Sequence, residues 1–399
     1  MTAALAGTDI LSAPGRMIFV ETAKDLPYPT YSAPVDGLRG LTVLGLLLGI
    51  VAGAGFPGSP TATSMLFVLV GYVVTAHMAG ESRRVGQVDL GSMWIRRVAR
   101  WGPVSWITLA GVLVLSVGGV WSVTQQRDIP GETLSSLLMV NNWWRLSSEV
   151  RLADGPSCPL ALLWITSVVE QLVLLWSFVY AATFILHRRG WRMAMPVALG
   201  LLMALSLAVQ WAQRGSPLPT QLNTASRLGE FVMGAGLAWF WRRRGLRGPR
   251  RPEMRMWVLR LWPVAGVVLV VLGLLFGPTS VFWSRGGLLV AGACSVVVLA
   301  GAVTTGGFRT FLELAPVAWF GRRAGMVLFV SWPTYLAVPV GFGPVGRAVL
   351  VLLVTGAAMF AADYLPGHTA RSELQLDDER DEVDGDGLDG LHSQARPAV

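Results

Sequence analysis

Apolar runs of roughly 18 to 25 residues recur along this chain, each long enough as a helix to cross a hydrocarbon core about 30 Å thick. Buried helices of soluble proteins need runs of only about 10 to 14. Charged residues make up 14% of the chain, where soluble domains carry about 25%. With 53% hydrophobic residues and a mean hydropathy of +0.54, a large soluble fold is excluded. The expected fold is an all-α integral membrane domain of about ten transmembrane helices. The spans lie near 40–57, 61–79, 101–121, 160–186, 193–212, 226–241, 257–277, 285–304, 324–342 and 345–363. The fourth is long enough to tilt or to begin in the interface.

Arginine placement sets the expected orientation. With the N-terminus in the cytoplasm, nineteen arginines fall in inside loops and seven in outside loops. That bias predicts both termini cytoplasmic.

The net charge of +8 is uneven. The tail 364–399 has nine acidic and three basic residues, so the membrane part is more basic than the whole. Inside-positive loops beside anionic membrane lipids account for this, and nucleic acid is not an expected partner. Cys158 and Cys294 cannot form a disulfide framework, and the four histidines show no metal spacing. No metal and no bound cofactor is expected. Residues 1–35 read as a cytoplasmic arm without a signal-peptide pattern, 36–363 as one membrane domain, and 364–399 as an acidic, disordered cytoplasmic tail. The outside loop 122–159 carries "SSLLMVNNWWRL", whose Trp143 and Trp144 suit an interface.

Ionisable residues at membrane depth are costly and mark function by default. Asp36 and Arg39 open the first span; Glu170 and Gln171 lie about halfway along the fourth; Arg227 and Glu230 start the sixth. Asp36 and Arg39 also fit interfacial residues, and Arg227 with Glu230, three apart on one helix face, also fits a self-neutralising pair. Glu170, a carboxyl amid Val, Leu and Trp, needs a partner or a proton. The basic loop "MWIRRVARWGPVSW" before the third span reads either as an inside-positive anchor or as a clamp for a phosphorylated cytosolic donor. Guanidinium forks match phosphate oxygens.

The order of these segments resembles acyltransferase family 3, bacterial membrane proteins that move acyl groups from coenzyme A to extracytoplasmic hydroxyls. The resemblance is carried by "DGLRGL" (36–41), "FVLVGYVVT" (67–75), "RRVARWGP" (96–103), "NNWW" (141–144), "LWITSVVEQLVLLW" (163–176), "SRLGEFVMGAGLA" (226–238) and "WFGRRAGMVLFVSWP" (319–333), in order. The chain departs from the family where the family has membrane histidines. Those positions hold Ile50, Leu162 and Ser331; Val169 replaces the first of the paired glutamates and Val70 a serine. His77 is the nearest imidazole, toward the inside end of the second span.

The resemblance implies acyl transfer, acetyl for example, from acyl-CoA as co-substrate to a cell-envelope glycan or lipid-linked glycan. On that reading Glu170 is the remaining intramembrane base and Arg39 holds donor oxygens. Arg96, Arg97 and Arg100 grip the coenzyme, and Asp36, Gln171, Arg227, Glu230 and Trp164 serve the acceptor side or the structure. Two other functions stay open: a catalytically silent member that binds or scaffolds in envelope biosynthesis, and a path for a lipid-linked or polar solute.

Overall fold

The computed structural model describes residues 32–51, 59–149, 157–241 and 252–361, apart from a few side chains, Arg100's among them. The expected arm and tail lie outside these residues, save that the first helix begins at Ala33. Secondary structure among the described residues is entirely helical.

Helix α1 (Ala33–Val51) starts well before the expected span. The Ser32 carbonyl accepts from the Val35 and Asp36 amides, Pro34 supplies a helical φ, and Asp36 meets the positive helix end. Asp36 and Arg39 therefore lie within the helix rather than ahead of it. Helix α2 (Ser59–Val85) follows, then α3 (Leu90–Val117). The α3 amide of Ser92 donates to the Asp89 carboxylate at 3.0 Å, an N-cap. The segment expected as a basic loop, "MWIRRVARWGPVSW", is thus helical, with Pro103 in the helix interior.

Three short helices, α4 (Val123–Gln126), α5 (Ile129–Leu137) and α6 (Asn141–Leu146), fill the expected outside loop. Then come α7 (Trp164–Arg188), α8 (Ala194–Ala212), short α9 (Pro217–Leu222), α10 (Thr224–Trp241) and α11 (Pro252–Leu275). The chain continues through α12 (Gly287–Val303), α13 (Gly307–Leu312), α14 (Ala315–Arg322), α15 (Ala324–Ala337) and α16 (Gly343–Ala361).

Each of the ten expected segments holds a helix. Among the described residues seven apolar helical stretches, which include α1, α2, α3, α7, α8, α11 and α16, are long and apolar enough to cross a membrane; α12 and α15 are apolar but shorter. The protein is a multi-pass membrane protein. Burial separates inner from outer helices. The apolar windows of α1 and α2 are 67% buried, against 22% for α8 and 17% for α11 and α16, so the last three present their apolar sides to lipid.

Close approach of backbones fixes the centre. A Cβ on Gly71 of α2 would lie 2.1 Å from the Phe231 carbonyl oxygen, and one on Gly234 of α10 would lie 2.0 Å from that of Val68. Glycines permit this contact, which supplies the dispersion that holds helices together where lipid removes the hydrophobic drive. Phe67, Val168, Leu172, Trp176 and Phe231 close around it. Gly321 of α14 plays the same part against α1, since a Cβ there would lie 1.7 Å from the Asp36 carbonyl. These contacts join the motif segments of α2 and α10 to each other, and those of α1 and α14 to each other.

Candidate active site

Helix α7 brings Glu170 to the basic motif of α3. The Nε of Arg97 donates to Oε2 of Glu170, and its Nη2 donates to Oε1 at 2.8 Å. This two-point fork is the geometry in which guanidinium and carboxylate match best. The side chains keep 20% and 17% exposure. Of the two ways open to a carboxyl amid Val, Leu and Trp, a partner or a proton, Glu170 has the partner, an arginine. It stands in the second turn of α7, not at the helix midpoint.

Arg96, next to Arg97, lies 3.7 Å from the Glu81 carboxylate of α2 and is largely exposed. Glu81 was not singled out in the sequence, although it precedes the basic end of α2 in "AGESRR". Arg100 belongs to α3, and its side chain lies outside the described residues.

Gln171 turns the other way. Its Nε2 donates to the Met139 carbonyl at 2.7 Å and to Asn142 Oδ1 at 2.9 Å. Its Oε1 accepts from Trp143 Nε1 at 3.0 Å and from Thr224 Oγ1 at 2.5 Å. Asn142 also donates to the Leu222 carbonyl and to Thr224 Oγ1, both at 3.0 Å. The "NNWW" motif is thus clasped to α7 and α10. Beneath it, Arg145 and Glu132 form a buried pair at 2.7 Å. Burial pushes the Glu132 carboxyl above the usual range, against the pull of Arg145.

Arg227 and Glu230 are fully buried and paired, Nη1 donating to both carboxylate oxygens at 3.0 Å. Arg227 Nε donates to the Gln221 carbonyl at 2.8 Å, and the Ser64 hydroxyl donates to Glu230. The guanidinium lies 5.2 Å from the Phe67 ring centre and 5.8 Å from that of Trp164, within cation–π range. Its Nη2 has no hydrogen-bond partner among the described residues. Ser64, buried beside Glu230, is a further polar member that the sequence did not flag.

Asp36 and Arg39 pair at 2.6 Å, with the carboxylate buried and the guanidinium partly open. Among the described residues they do not join the α3–α7 fork in any hydrogen bond or ion pair.

The positions aligned with the family histidines come together. Ile50 and Leu162 pack with Ala161 and Trp332 in one small apolar cluster, flanked by Tyr335 and Leu336. Ser331, next to Trp332, is buried and spends its hydroxyl on the Val327 carbonyl at 2.5 Å. Where the resemblance sets imidazoles this protein has an apolar plug at two positions and a buried serine at the third. His77 is exposed on α2. Among the described residues no group of three or more His, Cys, Asp or Glu has the arrangement to hold a metal ion.

These features define a multi-pass, all-helical membrane protein whose motifs follow, along the sequence, the order that resembles acyltransferase family 3. The chain is 26% identical to YrhL of Bacillus subtilis over 324 residues, 78% of this chain and 50% of that protein. It is 25% identical to the peptidoglycan O-acetyltransferase OatA of Listeria monocytogenes over 312 residues, 76% of this chain and 49% of the relative. With the O-acetyltransferase OatA of Staphylococcus aureus the identity is 24% over 320 residues, 78% of this chain and 51% of the relative. The chain spans about half the length of these curated relatives. No family profile and no solved structure matches it. The similarity to these relatives, two of them named O-acetyltransferases, points the same way as the resemblance of the motifs to acyltransferase family 3.

Proposed function

We propose that this protein is a membrane O-acyltransferase module that passes an acetyl or similar acyl group from a coenzyme A thioester to a hydroxyl of a cell-envelope glycan. The observation that carries this reading is the polar constellation Arg97–Glu170–Gln171–Asn142–Thr224, which joins three of the seven motifs that the family resemblance rests on to the start of α10. Relatives named as peptidoglycan O-acetyltransferases align over most of the chain and support a glycan acceptor.

Acyl transfer to a hydroxyl needs donor positioning, a proton acceptor and a place for the developing oxyanion. Arg97, with Arg96 beside it, suits the first task. Partly open at the head of α1, Arg39 is a candidate for donor oxygens. Arg227 and Glu230, capped by Trp164, form the second polar centre of the domain, suited to the acceptor side or to the structure.

One observation favours a second reading. The plug of Ile50, Leu162 and Trp332 leaves no imidazole at the family positions, and losing a general base costs about 10²–10⁴-fold in rate. A protein that binds donor or glycan without turnover fits that plug. The test is thioester loss from acetyl-CoA by the purified full chain, with and without isolated envelope glycan. Loss that requires glycan supports the transferase, whereas donor binding without loss supports the silent binder.

A further inference from the structure

The carboxylate of Glu170 is fully directed at Arg97, and the amide of Gln171, the next residue, is fully engaged on the other side of α7. A glutamine side chain has two N–H donors and one carbonyl oxygen. Here both donors and both acceptor positions are taken, by Met139, Asn142, Trp143 and Thr224. Asn142 and Thr224 are tied to each other, so α6 and α10 grip α7 at this level. Consecutive helical residues point about 100° apart. A helix pinned through Gln171 therefore holds Glu170 at a fixed height and azimuth.

Arg97 has five N–H donors. Glu170 takes the Nε and one Nη2 hydrogen, the side edge of the guanidinium. The end edge, Nη1 with the second Nη2 hydrogen, keeps the two parallel donors that a phosphate oxygen pair requires. The partial exposure of both side chains leaves that edge within reach of a ligand. Each Glu170 oxygen accepts from arginine, which commits about two of the carboxylate's four acceptor sites and holds its plane in line with the guanidinium.

We infer that Glu170 is a positioning residue for Arg97 rather than the base, and that Gln171, held by Asn142, Trp143 and Thr224, fixes Glu170 so that Arg97 presents its free edge to a phosphate of the acyl donor. This rests on the transferase reading for the identity of the donor. It assigns the "NNWW" motif a task in donor binding, at the far end of a chain of contacts from α6 to α3.

Coenzyme A without an acyl group is the probe, because it separates binding from chemistry. Calorimetric titration of the full chain in detergent compares wild type with Glu170→Gln, Gln171→Leu, Arg97→Ala and, as a surface control of equal charge change, Glu313→Gln. Glu313 pairs with Arg309 on the exposed side of α13. Binding weaker by about tenfold or more in Glu170→Gln, as for one charge-assisted hydrogen bond, is the expected result. Gln171→Leu weakens it in the same direction, Arg97→Ala abolishes it, and the control matches wild type. Circular dichroism and thermal midpoints identify any variant that misfolds, and Arg97→Lys, which keeps charge but loses the fork, gives a second reading of the same edge. Equal or tighter binding in Glu170→Gln overturns the inference. If that variant binds normally yet loses acetyl-CoA turnover, the inference falls and the transferase reading stands. Failure of wild type to bind the probe overturns the inference along with its donor.

Discussion

The Arg97 guanidinium of α3 meets the Glu170 carboxylate of α7 across 73 residues of sequence, in a two-point pair whose side chains stay partly exposed. A lysine offers a point charge and no fork. In Arg97→Lys the account predicts a KM for acetyl-CoA raised at least about tenfold with kcat changed much less, since the lost interaction is with the donor in its ground state. Steady-state kinetics against acetyl-CoA concentration checks this. A fall confined to kcat would place Arg97 in the bond-making step.

Arg227 and Glu230 are both fully buried, so their pairing offsets a desolvation cost and adds little net stability. Removing one partner strands the other. Arg227→Leu is expected to destabilise by about 3–5 kcal/mol, and the double variant with Glu230→Leu by clearly less than the single. Thermal unfolding in detergent, compared across the cycle, measures the coupling. Additive losses would mean the pair is not coupled in the folded protein.

The apolar plug makes a gain-of-function prediction. Ile50→His with Leu162→His returns imidazoles to positions that share one cluster. The exchange costs stability, because a polar ring enters a site closed by Trp332. Where donor and acceptor still meet beside the plug, thioester turnover rises by at least about tenfold, the low end of what a general base contributes. It should fall away as pH drops below about 6.5, the ordinary imidazole value. A plug that merely fills space, remote from the chemistry, would give the stability loss without the gain.

Glu132 gives a pH prediction outside the spanning helices. Burial, the dominant influence, raises its folded-state pKa above the ordinary 4.5 despite the charge of Arg145. The folded state therefore holds this proton more tightly than the unfolded chain. Its contribution is fully present below pH 4.5 and lost as pH rises through the elevated value. Glu132→Gln removes that pH dependence. Unfolding midpoints of the two proteins, compared from acid to neutral pH, should converge at the acid end and separate as pH rises. Parallel curves would show that Glu132 is not the group responsible.

Much of the fold was legible in the apolar runs, because span length is set by the membrane and not by partners. Helix ends were less so. The α1 start at Ala33 is set by Ser32, Pro34 and Asp36, whose capping chemistry precedes the apolar residues that marked the span. The basic stretch at 93–106 was misread as a loop, since arginines and a proline interrupt hydropathy while the backbone stays helical around them. Glu170 stood out in the sequence for a sound reason, the cost of a buried carboxyl. Its partner did not, since nothing local links Arg97 to a residue on another helix. The reverse held for Arg227 and Glu230, whose spacing of three made the pair legible, while Ser64 beside them was not. The plug appeared in the sequence only as three missing histidines; that Ile50 and Leu162 touch the same Trp332 is a fact of packing.

The most direct test of the central claim is transfer itself. The full chain, reconstituted in vesicles, is supplied with acetyl-CoA carrying a labelled acetyl group and with isolated envelope glycan, and alkali-labile label in the glycan is counted. The account predicts glycan-bound acetyl ester that saturates with acetyl-CoA and disappears in Arg97→Ala. Saturable donor binding with no label reaching the glycan would contradict it, and would make this protein a binder that has kept the fold and lost the reaction.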